Sequence, residues 1–435
     1  MIGIIIRYRL KQETDLLHFQ HSECGATLRA SEIKPKLDRF LIRILGGEET
    51  VNKKFADWLI GDHLAFDYKL SFIGKGVAVS FDSEEEYKKI RDPKYKKQNS
   101  KIPKSYYGNM IKYEYDMTPN EKIELMQETF KETMRYPDGI VMKIVSFNSE
   151  LLKLIDKHII AFFLIHNFGT RQNKGFGSFK ISDRNDTSLN YNPQDILLEY
   201  SKLSEPRFFY PYVVDYSCNQ ETDLMDEARW IYSLLKSGIN RGNMRYSRAY
   251  IYQYFHSKKI CNEKAWMKQQ GIAPIRNSKN VKKEHENDKC RYFDHNKPRY
   301  VRALLGLSDI VYLHDLNKTW IKWPISINDK DKEIMRCTSP ITFKIVGREL
   351  FILVFEPHPE ILGKEFIFEG RDPDTSVKHS GKICVPTADE FNMKELFDGF
   401  AKYVNANGDK IRNCRSINSG SFRAGLYGHE IREVR

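Results

Sequence analysis

Two amphipathic helical stretches, each set between strand-like segments, constrain the fold of this chain more than any other feature. From Glu32 to Leu45 the apolar residues Ile33, Leu37, Phe40, Leu41 and Ile44 recur at i, i+4, i+7, i+8 and i+11, which is one helix face. Pro35 is expected in the first turn, where its missing N–H matters least. From Leu151 to Ile165 a second stripe runs through Leu151, Leu152, Ile155, Ile159, Phe162 and Phe163. Around these helices, Gly3–Leu10, Gly139–Ser146 and Phe176–Ile181 read as strands. Phe66–Leu70 and Val77–Phe81 read as a hairpin about Gly74-Lys75-Gly76, and Glu121–Met134 as a helix. With an insertion at 84–117 set aside, the order approaches βαββαβ, the ferredoxin-like (RRM-like) arrangement.

The polar stretch Ser182–Pro206 divides the chain into units at 1–206 and 207–435. The second half reads as a helix over Thr222–Lys236, a helical Arg299–Leu305, and a hairpin of Ile341–Val346 with Leu350–Phe355 about Gly347-Arg348. A strand at Phe366–Phe368, a helix at Met393–Val404 and a charged insertion at 258–298 complete it. The expected class is α+β, with tandem ferredoxin-like domains and inserted loops.

At 435 residues with 41% hydrophobic content, the chain can bury two such cores. It has no apolar run of about 18 residues, so a membrane span is not expected. Lysine and arginine total 70 against 58 acidic residues, a net charge of +12, which favours a polyanion or an acidic protein as partner. The seven cysteines are scattered without a CxxC pair, the usage of a reduced, cytoplasmic protein.

The segment Asn167–Phe179 (NFGTRQNKGFGSF) joins the second helix to the strand after it. Gly169, Gly175 and Gly177 permit positive φ and close backbone approach. Successive amides in such a loop make a concavity for anions, to which Arg171 and Lys174 add charge. Phe168, Phe176 and Phe179 can stack on bases or anchor the loop in a core. Further on, Arg241, Arg245, Tyr246, Arg248, Tyr250, Tyr252, Tyr254 and Phe255 mix arginine with tyrosine, which suits single-stranded RNA and a protein interface equally.

The run GTRQNKGFGS from Gly169 to Ser178 resembles the glycine-rich signature G-x-R-x-x-[RK]-G-x-G-S of the RAMP superfamily of CRISPR-associated proteins, in the version found in Cmr-type subunits of type III effector complexes. Upstream, Ser31, Ile33, Lys34, Leu37 and Arg39 loosely match the family's S-x-[IL]-K-G-x-[LI]-R, with Pro35 in place of its glycine and Asp38 intruding before Arg39. Arg336-Cys337-Thr338-Ser339-Pro340 is similar to an R-x-x-S-P before a late strand in some Cmr-type subunits. The resemblance implies a subunit that holds guide RNA by its backbone and positions target RNA beside other CRISPR effector subunits. Base pairing, not the protein, would read sequence. It implies RNA contacts at Arg29, Lys34, Lys36, Arg39 and Arg43 and at Gly169, Arg171, Lys174, Gly175, Phe176, Gly177 and Ser178; Arg241 and Arg245 of the arginine–tyrosine tract are further RNA-binding candidates on their residue types alone.

Two other chemistries have candidate residues in the sequence. His18 and His21 lie near where guide-processing RAMP endonucleases place a general base, which leaves an endoribonuclease as the alternative function and a purely structural subunit as a third. Asp15 and Asp38 are further carboxylate candidates for RNA cleavage, without a matching pattern. Cys261, His285, Cys290 and His295 share one insertion but lack a tight metal hook, and no cofactor is expected.

Overall fold

In a computed structural model of the chain, the described residues are 4–17, 28–61, 63–79, 133–203, 208–216, 224–242, 245–272, 297–307, 310–314, 322–331, 337–371, 377–413 and 429–435, with single positions at 118, 120, 121, 123, 124 and 334. The first sheet is built on strand β1 (Ile4–Gln12), whose alternation turns Ile6, Tyr8 and Leu10 inward and Arg7, Arg9 and Lys11 outward. After helix α1 (Ala30–Ile44) come β2 (Lys69–Ile73), β3 (Val77–Val79), β4 (Thr133–Arg135) and β5 (Ile140–Ser146). Helix α2 (Ser149–Ile165) leads to β6 (Phe179–Arg184). The sheet order is β2-β5-β1-β6, and every pairing among these four is antiparallel. With β3 and β4 left aside, that is the ferredoxin-like βαββαβ order. Both helices lay their apolar stripes on the inward face, and Asn148 caps α2 by accepting from Leu151 N at 3.0 Å.

Three local expectations are corrected. Val77–Val79 does not turn back on β2; it pairs with Thr133–Arg135 in a separate two-stranded sheet, while β2 takes β5 as its partner. Backbone pairing over long range overrides the turn suggested by Gly74-Lys75-Gly76. Residues 133 and 134 are accordingly strand rather than the end of a helix, and most of 121–132 lies outside the described residues. Helix α1 starts at Ala30, so Pro35 is its sixth residue, on the exposed side, where the Ser31 carbonyl that loses a donor is also exposed. The polar connector also holds an element of its own, helix α3 (Pro193–Ser201), with Asn192 as cap and proline at its first position.

The second sheet repeats the first. Strand β7 (Tyr210–Tyr216), helix α4 (Leu224–Lys236), hairpin β8 (Ile341–Val346) and β9 (Glu349–Val354), helix α5 (Met393–Asn413) and β10 (His429–Glu433) stand in the order β8-β9-β7-β10, again antiparallel throughout. The chain is therefore a tandem of ferredoxin-like domains. A further sheet, ordered from Cys261–Asn262 through Pro298–Arg299, Lys378–Cys384, Glu365–Arg371 and Lys322–Asp329 to Ile310–His314, is inserted around the second domain. Residues 258–272, expected as part of a charged insertion, instead pack against this core, with Met267 and Ile272 fully buried; 273–296 lie outside the described residues.

The second sheet is buried on both faces. Tyr212, Val214, Phe343, Ile345, Leu350 and Ile352 face the second domain's own core. From the other face, Val213, Val346, Phe351 and Leu353 enter the core of the first domain beside Phe163, Phe168 and Phe209. Near-continuous apolar runs such as Leu350–Val354 follow from this two-sided burial.

Candidate nucleic-acid interface

The glycine-rich segment lies in the seam between the two domains. Its polar side chains cross that seam: Asn167 Nδ2 donates to Phe343 O at 2.8 Å, Asn173 Nδ2 to Ser339 O at 2.7 Å, and Ser178 Oγ to Ile345 O at 2.6 Å. In return Lys344 of β8, fully buried, donates from Nζ to His166 O and Phe179 O, each at 3.0 Å. The three phenylalanines divide between the domains. Phe168 and Phe179 join the first core and Phe176 joins the second, all fully buried. Of the two roles open to these rings, the structure places them as anchors.

The glycines serve this packing. Gly177 (φ 67°) lies so close to the backbone that a Cβ there would stand 1.9 Å from Phe168 O. At Gly169 (φ 80°) a Cβ would stand 2.2 Å from Leu17 O. Many loop amides are turned inward. Gly169 N donates to Glu32 Oε1 at 2.8 Å, Thr170 N to Leu17 O at 2.7 Å, Gly177 N to Asp15 O at 2.9 Å and Ser178 N to Thr14 Oγ1 at 2.9 Å. The anion concavity expected from these amides is thus filled by the protein's own oxygens. Ser178→Ala should destabilise the chain by about 1–2 kcal/mol, because it leaves a buried β8 carbonyl without its donor. Urea denaturation measures this; an unshifted midpoint would place that carbonyl in contact with water.

What the loop turns outward is its cationic edge. Arg171 is half-buried with a left-handed backbone (φ 55°), a conformation non-glycine residues seldom hold. Lys174 follows in the short 3-10 turn Gln172–Lys174. Desolvation pushes the Lys174 ammonium down to about 8, and the Arg171 and Arg229 guanidiniums push the same way. Arg229 comes from α4, and Lys236, seven residues on, stands on the same helix face. Burial pushes Lys236 down to about 7, with Arg302 and Lys174 adding to the effect, while its Nζ donates to Leu305 O at 3.0 Å and Gly306 O at 2.7 Å. Two elements from different domains thus bring Arg171, Lys174, Arg229 and Lys236 together, with Asp226 acting on Arg229 and Glu263 on Lys236. Arg229 and Lys236 were missed in the sequence; their spacing of seven in an amphipathic helix was the available signal.

The basic face expected on α1 divides. Lys34 Nζ binds Asp38 Oδ2 at 2.8 Å and Phe66 O at 2.7 Å, and lies 4.2 Å from the Tyr68 ring centroid. Lys36 Nζ binds Glu32 Oε1 at 2.9 Å, Gln172 Oε1 at 2.8 Å and Asn167 O at 3.2 Å, tying the helix to the loop. Both ammoniums are engaged inside the protein. Arg39 and Arg43 remain exposed, with Arg43 stacked 4.1 Å from the Phe208 ring centroid, and Arg29 is half-exposed just before the helix.

Asp15 is held by Arg135 Nε at 2.6 Å and Thr133 Oγ1 at 3.0 Å, and Asp38 is buried beside Lys34. His18 and His21 lie outside the described residues, as do His285, Cys290 and His295; Cys261 is buried. Arg241 and Arg245 belong to a small antiparallel pair, Ile239–Gly242 with Arg245–Ser247, and their side chains are not among those described. The tyrosines beyond them turn inward: Tyr252 OH donates to Glu263 Oε1 at 2.8 Å and Tyr254 OH to Glu395 Oε2 at 3.0 Å. Among the described residues, no helix is long and apolar enough to cross a membrane.

Comparison with known proteins gives two family matches. Residues 4–239 match the Cmr1 N-terminal domain and residues 246–418 the Cmr1 C-terminal domain. Among solved structures the chain is similar to Cmr1 from Pyrococcus furiosus in its apo form, at 12% sequence identity and a TM-score of 0.41, over 82% of this chain and 90% of that one. No curated protein matches.

Proposed function

The chain belongs to the Cmr1 family, a Cmr-type RAMP subunit of type III effector complexes, and from that premise we propose that it holds guide RNA and positions target RNA along the basic seam between its two domains. Other Cmr effector subunits are its partners. The observation that carries the reading is the convergence of Arg171 and Lys174 from the glycine-rich loop with Arg229 from α4. Both charges acting on Lys174 are positive, and even with Asp226 beside Arg229 the cluster carries more positive than negative charge, which attracts an anion. Phosphates of a single strand supply that anion without demanding any base sequence. Exposed Arg39 and Arg43 of α1, with Arg29 before it, extend the same kind of contact; Arg241 and Arg245 remain further candidates.

In this reading the glycines, Phe176 and Ser178 act by shaping the loop and fixing it to β8, so that Arg171 and Lys174 are presented in one place. The cationic groups do the binding and the buried groups preorganise them. The complex serves RNA-guided antiviral defence in the cytoplasm, with this subunit contributing RNA retention rather than bond cleavage.

The test is a titration of the full chain with single-stranded guide RNA over a range of salt. Arg171→Ala with Lys174→Ala should weaken binding and reduce the slope of log K against log salt by about 1.4, at about 0.7 per lost phosphate contact on a single strand. Lys34→Ala removes only internal bonds and should leave that slope unchanged. An unaltered slope in the double variant would sink the assignment.

A further inference from the structure

The first domain carries a second charged surface: the outward face of its sheet. No helix covers it. Its rows follow from the strand register. Ile5 of β1 stands opposite Val145 of β5, which stands opposite Lys69 of β2. In the next row Arg7 is opposite Lys143 and Lys143 opposite Ser71. In the third, Asp183 of β6, Arg9, Val141 and Ile73 lie side by side. Lys11 then faces Lys180.

Two features of this face are costly in an isolated chain. The first is charge. Arg9 has Asp183 at 3.8 Å and Lys180 has Glu13 at 3.1 Å. Among the described residues, however, the side chains of Arg7, Lys11, Lys69 and Lys143 make no ion pair or hydrogen bond. Arg7 and Lys143 are direct cross-strand neighbours of like charge, an arrangement that destabilises a sheet. The second is apolar exposure: Ile5 is 48% exposed, Ile73 55%, and Phe147, one residue beyond β5, 67%. An uncompensated basic row flanked by exposed aliphatic side chains is the composition of an interface awaiting a partner.

We infer that this open sheet face docks an acidic segment of a neighbouring effector subunit, with carboxylates meeting Arg7 and Lys143 and apolar side chains covering Ile5, Val145 and Ile73. Protein is favoured over RNA by the side chains between the charges. Bases stack on aromatic rings, and apart from Phe147 beyond the end of β5 the apolar outward positions here, Ile5, Val145, Val141 and Ile73, are aliphatic. Aliphatic surface is best desolvated by other apolar side chains. The proposal concerns a different surface from the RNA seam and stands independently of it.

The experiment uses the full chain and its own effector complex purified without this subunit. R7E places a carboxylate opposite Lys143, so the isolated chain should melt at the same temperature or higher. Its affinity for the complex should fall by about tenfold or more, the usual range for disrupting a desolvated interfacial charge. Its affinity for guide RNA should not change. Should R7E melt lower than wild type, Arg7→Gln is the variant read for assembly, with the same loss expected. Unchanged assembly by the folded variant overturns the proposal. So does retained assembly with a loss of RNA affinity, which would make the face an RNA surface.

Discussion

Phe176→Ala is expected to lower the stability of the folded chain by about 3–5 kcal/mol, the usual cost of emptying a phenylalanine site in a close-packed core. The ring belongs to the second domain's core, with Tyr212, Met225, Ile231 and Ile345, although the residue itself is carried by the first domain's loop. Its neighbours Phe168 and Phe179 belong to the other core. The truncation therefore removes a contact that couples the domains, and sheet strands buried on both faces have little room to relax into the void. Urea denaturation should show a lower midpoint. Because the ring is fully buried, RNA affinity of the folded fraction should stay near that of the wild type. A loss of RNA affinity with no change in stability would contradict this placement, and would return Phe176 to the role of a stacking platform.

Stability should also rise as pH is raised from about 7 to about 9.5, and Lys344→Met should remove part of that rise. Burial pushes the Lys344 ammonium down to about 7, with Glu13 partly opposing, and burial pushes Lys236 down to about 7 as well. In the unfolded chain both titrate near the ordinary lysine value of roughly 10.4. Between those limits the unfolded state binds more protons, so the slope of unfolding free energy against pH is positive, up to about 1.4 kcal/mol per pH unit for each lysine. Below about pH 7 both states are protonated and the cost of burying the charge is complete. The histidines act in another window: burial pushes His158 and His166 down to about 4, so their contribution is present above about pH 6.5 and is lost as pH falls towards 4. Urea midpoints across the alkaline range should rise less steeply in Lys344→Met than in wild type. Lys236 supplies the remaining slope. Parallel profiles would show that the Lys344 charge is not carried into the seam.

Much of the architecture was legible from local pattern. The stripes at 33–44 and 151–163 became α1 and α2, and the hairpin about Gly347-Arg348 formed with a register that pairs Ile341 with Val354. The RAMP resemblance rested on GTRQNKGFGS and led to the family that the domain matches show. Local pattern failed where a partner lay far along the chain. β2 could not be known to choose β5 over the strand after Gly76, since pairing energy depends on what the fold brings alongside. β7 and β10, placed across an insertion of more than a hundred residues, left no short-range trace of their pairing.

The candidate site divides along the same line. Composition, charge and the glycine-rich motif by themselves determined the class of protein, the tandem domains and the loop for which we propose RNA binding. Only the tertiary structure decided which way each side chain of that loop faces. A residue's type states what it can bind but not what already binds it. The amides of Gly169, Gly177 and Ser178 and the ammoniums of Lys34 and Lys36 are satisfied within the protein, because buried polar groups must find partners wherever the fold offers them. Arg171 and Lys174 stay at the rim and gain Arg229 from a helix more than fifty residues away, because the packing of the loop's Phe176 into the second domain's core brought them together.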